Sequence, residues 1–153
     1  MDISSFCAGG PSAFFKKYPW FLYGKTIATD AGILVCARDI GPWPSADPEL
    51  HPIDGVRRIL KDAENREWEA PIISPYDLRE VENYRCDCGV VDSFPLYPGI
   101  YVNGIRIQVK YLVAILSIDG IAVSPEPQKT SGSNRLFFKG SGCVGVIASI
   151  MVS

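Results

Sequence analysis

Three basic side chains, Arg57, Arg58 and Lys61, lie close together in the stretch "HPIDGVRRILKDAENREW". Apolar Ile53, Val56, Ile59, Leu60 and Ala63 recur around them at steps of three and four, the period of an amphipathic helix. That spacing turns the three cations away from the apolar stripe. A row of exposed Lys and Arg neutralises phosphates without reading bases, so the chemistry on offer is non-specific nucleic-acid binding. The row is equally consistent with a solvated helix face, with i,i+4 pairs to Asp54 and Asp62.

A second run, "FFKKYPWFLY", interleaves Lys16 and Lys17 with six aromatics. Such a mix stacks the bases of a single strand, or else packs as core and interface with the lysine stems lying over it. A chain of this size needs its aromatics inside, which favours packing. Phe15, Tyr18 and Trp20 are then the candidate contacts for a protein partner.

Cys86 and Cys88 alternate around one residue, and on a strand both thiols would share a face. A tetrahedral metal site needs two further ligands, and His51 is the single histidine, so no metal and no Cys86–Cys88 disulfide are expected. Cys7, Cys36 and Cys143 are scattered among apolar residues, as buried thiols are. No G-x-S-x-G, phosphate loop, H-E-x-x-H or C-x-x-C is present. Glu80 and Glu82 fall in a polar segment. The expectation is a protein without cofactor or catalysis, a weaker alternative being an enzyme that uses Cys86 and Cys88 or His51.

The elements that position these residues follow from period and punctuation. Fifteen basic against seventeen acidic residues leave a net charge of -2, which excludes global attraction to DNA or an acidic membrane but leaves room for a local basic face. Forty-seven per cent apolar residues supply a core, with enough surplus to make a homo-oligomer plausible. The longest apolar runs, near 111–116 and 144–152, fall short of the ~20 residues of a membrane span. "MDISSFCAGG" has no secretory pattern, and five cysteines without framework spacing predict reduced thiols in a cytoplasm.

One compact domain over 1–153 is expected, in three parts. Residues 1–48 give a short helix and a hairpin, with Gly32 supplying the turn after Thr29-Asp30. Residues 50–95 give the basic helix, then strands at "EWEAPIIS" and "NYRCDCGVVDSF". Residues 99–153 begin with the strand "IYVNGIRIQ", where Asn103-Gly104 is a turn or bulge. A mostly apolar helix follows from Val109 to Ile118, its less apolar stripe being Lys110, Ala114 and Ser117. Strands at 119–124, 134–139 and 143–152 complete it. The fold class is α+β, with helices packed on a mainly antiparallel sheet and a helix-then-strands unit occurring twice, as βαβββ.

A doubled βαβββ unit resembles the DNA polymerase sliding clamp. "FLYGKTIATDAGILVCARD", "HPIDGVRRILKDA", "CGVVDSFP" with its Phe94-Pro95 link, "IRIQVKYLVAIL" and "SNRLFFKGSGCVGVIASIMV" are similar to clamp segments and follow the same order. Ala148 replaces the proline usual in the last of them, and the length corresponds to about one clamp domain plus an N-terminal part. The resemblance implies helices facing DNA, with Lys110 joining Arg57, Arg58 and Lys61. It also implies a non-enzymatic accessory protein of DNA metabolism that binds a protein partner, such as a replication factor, and DNA weakly, through a helix face or a sheet edge. The competing expectation is a phage or mobile-element inhibitor that binds a host defence complex.

Overall fold

The computed structural model describes residues 3–8, 14–38, 41–86, 99–126 and 134–150. After a single-turn helix at Ile3–Phe6, a short helix α1 (Phe14–Lys17) leads into β1 (Trp20–Leu22), β2 (Lys25–Thr29) and β3 (Ile33–Arg38). Two helices follow, α2 (Ile53–Glu64) and α3 (Pro75–Cys86). The hairpin of β4 (Ile100–Val102) and β5 (Ile105–Ile107) precedes α4 (Val109–Leu116). Last come β6 (Ala122–Pro125), β7 (Arg135–Gly140) and β8 (Cys143–Ala148).

Two three-stranded meanders, β1–β3 and β6–β8, join through β3 and β8 into a six-stranded antiparallel sheet of order β1-β2-β3-β8-β7-β6. Alternation along the strands sends side chains to two separate cores. Ile27, Leu34, Cys36, Phe137 and Val146 lie on one face, beneath Val56 and Ala63 of α2. Ala28, Val35, Ala37, Phe138 and Ile147 lie on the other, against Leu112 and Ile115 of α4, Val81 of α3 and the β4–β5 hairpin. The sheet is therefore the middle of three layers, with α2 and α4 on opposite sides.

The α+β class and the mainly antiparallel sheet match expectation, as does the strand–helix–strand order from 105 to 125. The first half differs. Where a strand was expected to begin at "NYRC", α3 runs from Pro75 to Cys86. Ser74 Oγ accepts the Asp77 N–H at 3.1 Å and Pro75 fills the first position, a start that local chemistry dictates. "EWEAPIIS" contributes one bridge residue, Glu69, in place of a strand. The described part of 50–95 is thus two helices, and what recurs in the chain is the three-strand meander. Cys86 ends a helix, so the strand argument for Cys86 and Cys88 does not apply. Cys88, Phe94 and Pro95 lie outside the described residues.

The first hairpin also turns differently. Ala31, at φ 79°, takes the left-handed position expected of Gly32. Gly32 is needed for close approach, because a Cβ there would collide with the Tyr111 side chain. Asp30 organises the turn: Oδ1 accepts the N–H groups of Gly32 and Ile33 at 2.8 and 2.9 Å, and Oδ2 accepts the Tyr111 hydroxyl at 2.8 Å. Burial first, then this bond to a carboxylate, pushes the Tyr111 hydroxyl well above the usual phenol range.

Residues 44–69 strap one face of the sheet from edge to edge. At the β1 edge, Phe21 N–H donates to Pro44 O and Ala46 N–H to Phe21 O, both at 2.7 Å. At the β6 edge, Glu69 and Val123 exchange N–H···O bonds of 2.9 and 2.8 Å. Between them α2 crosses over β8. Beyond α2, Arg66 and Arg135 both reach the Glu126 carboxylate, whose side chain is 3% exposed, at 3.1 and 2.7 Å, and both guanidiniums lie over Phe137. Among the described residues no helix is long and apolar enough to cross a membrane.

Candidate nucleic-acid interface

On α2, Val56 and Ala63 point into the core, which leaves Arg57, Arg58 and Lys61 exposed. The helix start is uncapped by any side chain, and Asp54 occupies its first turn. Ion pairs among the described residues join Arg66 and Arg135 to Glu126, and Arg135 to Asp62 at 3.3 Å. Asp54 and Arg58 are not joined in this way, contrary to the expected i,i+4 pair. Burial and the two carboxylates compete at Arg135, and the bond to Glu126 dominates, raising its already high pKa.

Two further cations belong to this face and escaped the sequence reading. Lys25 and Arg38 are directly opposite one another at the open end of the β2–β3 pair, and both are exposed. They share the side of Ile27 and Cys36, the side that α2 covers. The charge of Lys25 reaches Cys36, whose thiol burial pushes up to about 11 against that pull. The signal lay in the register: counting outward from the Asp30-Ala31 turn sets residue 25 against 38. Like charges directly opposite across strands are locally destabilising.

Tyr23 stands between these groups and α2. It occupies the β1–β2 turn with Gly24, at φ 48° and 77°, and is 77% exposed. The Arg57 guanidinium lies over its ring, 4.7 Å from the centroid, and donates a hydrogen bond to its hydroxyl. Lys25, Arg38, Arg57, Arg58 and Lys61 thus lie on one side of the sheet, and Arg57 joins them to one solvent-exposed aromatic ring.

Lys110 is not among them. It is exposed on α4, across the sheet, its ammonium 4.9 Å from the Tyr111 ring centroid. There it borders an open cavity of about 510 Å³ lined also by Ser5, Cys7, Asp30 and Ala114. The expected single basic face shared by both helices is corrected by this layering: three of its four residues are together and the fourth is on the reverse.

Of the three expected partner contacts, Trp20 is fully buried. Its Nε1–H donates to Phe15 O at 3.2 Å and its ring stacks on His51 at 4.6 Å. It is a core residue, placed inward by the pattern of β1. Phe15 is half-buried beneath Lys16, and Tyr18 remains exposed beside Lys17. His51 is itself buried, and its Nδ1 accepts the Asp47 N–H at 2.8 Å, which places the ring proton on Nε2. The role visible for it is to anchor the strap at Trp20. Cys36 and Cys143 are buried free thiols and Cys7 is half-buried. Among the described residues no group of three or more His, Cys, Asp or Glu is arranged to hold a metal ion. Compared with protein-family models, with curated proteins and with solved structures, the chain matches none.

Proposed function

We propose that this chain is a small non-enzymatic accessory protein of DNA metabolism whose working surface is the α2 face, where it holds DNA by its phosphates. One observation carries the reading: Lys25, Arg38, Arg57, Arg58 and Lys61, from three different elements, are all exposed on the same side of the sheet. The likeness of the stretch "HPIDGVRRILKDA" to a clamp helix supports it, since clamp helices meet DNA through basic side chains; the doubled βαβββ unit lends no support, α3 standing where its first strands were expected. The reading assigns this role to α2 and not to α4, which lies on the reverse of the sheet.

A protein partner has a separate place to bind. Ile72, Tyr76, Leu78 and Tyr101 are exposed on and before α3 and on β4, the side of the sheet away from α2. Exposed aromatic and aliphatic residues of this kind serve as interface anchors. The same side chains favour the second reading, a mobile-element inhibitor that binds a host defence complex stoichiometrically. Strand addition at a sheet edge is disfavoured in either case, because the strap occupies Phe21 and Val123.

Salt dependence tests the proposal. Five neutralised phosphates give a log–log slope of about 4.5, so a fourfold rise in salt should weaken duplex binding roughly 500-fold. Reversing Arg57, Arg58 and Lys61 to Glu should abolish binding and leave the fold intact. Fluorescence anisotropy on a labelled duplex measures both. No binding by the wild type at about 50 mM salt sinks the DNA reading and leaves the inhibitor.

A further inference from the structure

Tyr23 sits where tyrosine is poorly suited. At φ 48° it takes the left-handed region, which bulky side chains rarely occupy and which Asn or Gly enters easily. The equivalent position of the β4–β5 hairpin, at φ 49°, is Asn103. The ring gains little packing in return, being 77% exposed. A second local penalty lies beside it, the like-charged pair Lys25 and Arg38 directly across the strands. Strain and repulsion concentrated at one exposed spot, without burial to offset them, mark a surface shaped by binding rather than by folding.

We infer that Tyr23 is a stacking platform for a base of single-stranded nucleic acid. The inference rests on the reading of the α2 face as a nucleic-acid surface, and specifies the form of the ligand. Arg57 covers one face of the ring and holds the hydroxyl, which fixes the side chain in an outward pose. With the residue 77% exposed the ring stays largely accessible to solvent, and a flat apolar surface backed by a guanidinium takes any base by stacking. Lys25 follows two residues later, and Arg38 opposes it, so cations for the flanking phosphates adjoin the ring. A base paired within a duplex keeps its own neighbours and presents no free face to the ring, which makes the site selective for unpaired strands. This is the single-strand chemistry that the "FFKKYPWFLY" run offered. Within that run the buried Trp20 does not provide it, and Tyr23 does.

The test uses the full chain, with labelled dT20, rU20 and a 20-base-pair duplex as probes in fluorescence anisotropy at low salt. Wild type should bind the single strands more tightly than the duplex, and the two sugars show which strand the face prefers. Tyr23→Asn suits the turn and removes the ring. It should weaken single-strand binding about tenfold, the loss from one stacked base, with duplex affinity unchanged. Tyr23→Phe keeps the ring and should bind within about twofold of wild type. If Tyr23→Asn binds dT20 and rU20 as tightly as wild type while the Arg57, Arg58 and Lys61 reversal abolishes duplex binding, the stacking site is overturned and the phosphate reading stands. If wild type binds none of the three probes, both fall.

Discussion

Tyr23-Gly24 joins β1 to β2, and Asn103-Gly104 joins β4 to β5, with nearly the same left-handed backbone: φ 48° and 77° in the first, 49° and 86° in the second. The side chains go opposite ways. Asn103 turns back onto the chain, where its Nδ2 donates to Glu69 Oε1 at 2.6 Å and to Ala70 O at 3.2 Å, and its Oδ1 accepts the Ile72 N–H at 2.6 Å. Tyr23 turns outward, where the Arg57 guanidinium lies over one face of its ring and donates to its hydroxyl. One turn uses a residue that fits the backbone to brace the segment just beyond the strap's Glu69 bridge. The other tolerates a residue that does not fit and displays it. Equal geometry with unequal side-chain use separates the demands of folding from those of binding.

Four substitutions test that contrast. The largest effect belongs to the brace. Asn103→Ala removes three side-chain hydrogen bonds and puts a Cβ residue into the left-handed region, so urea unfolding should show a loss of about 2 kcal/mol. Asn103→Gly restores backbone freedom without the bonds and should recover about half of that loss. A smaller effect of opposite sign belongs to the display. Tyr23→Asn relieves the strained position and should raise stability by about 1 kcal/mol, or Tm by roughly 2–4 °C in a scanning measurement. A fall in Tm would mean that the ring supports the fold after all. Smallest is Arg57→Ala, which takes an exposed cation from an exposed ring and should leave stability within about 0.5 kcal/mol of wild type. Chemical denaturation compared with probe binding would then separate the two roles in a single variant.

What the sequence made legible was local. The 3.6-residue period found α2 and α4, and the switch in period between 105 and 125 found the strands around α4. α3 was missed because, among its described side chains, Val81 alone is buried, too little to make a stripe; Ser74, Pro75 and Asp77 were the readable signal, a cap rather than a periodicity. Arg57, Arg58 and Lys61 were legible as one face because a single helix carries them. Lys25 and Arg38 required strand register, and the exclusion of Lys110 required knowing which side of the sheet α4 takes. No local pattern encodes that side, since it depends on how the chain crosses between the two meanders. Arg66, Glu126 and Arg135 were invisible for the same reason, being brought together from separate parts of the chain.

The seam between β3 and β8 has a consequence for the order of assembly. Ile33 pairs with Ile147 and Ala37 with Cys143, so the middle of the sheet is built from strands made at widely separated moments of synthesis. The first meander emerges early with Ile33-Leu34-Val35-Cys36-Ala37 along an unpaired flank, a sequence prone to stick to any strand it meets. It must wait in that state while α2, α3 and the β4–β5 hairpin are translated. Only when residues 143–147 leave the ribosome does the flank find its native neighbour. A nascent chain of this kind stays open to misassembly until β8 emerges, and a stop codon upstream of β8 would leave it there permanently.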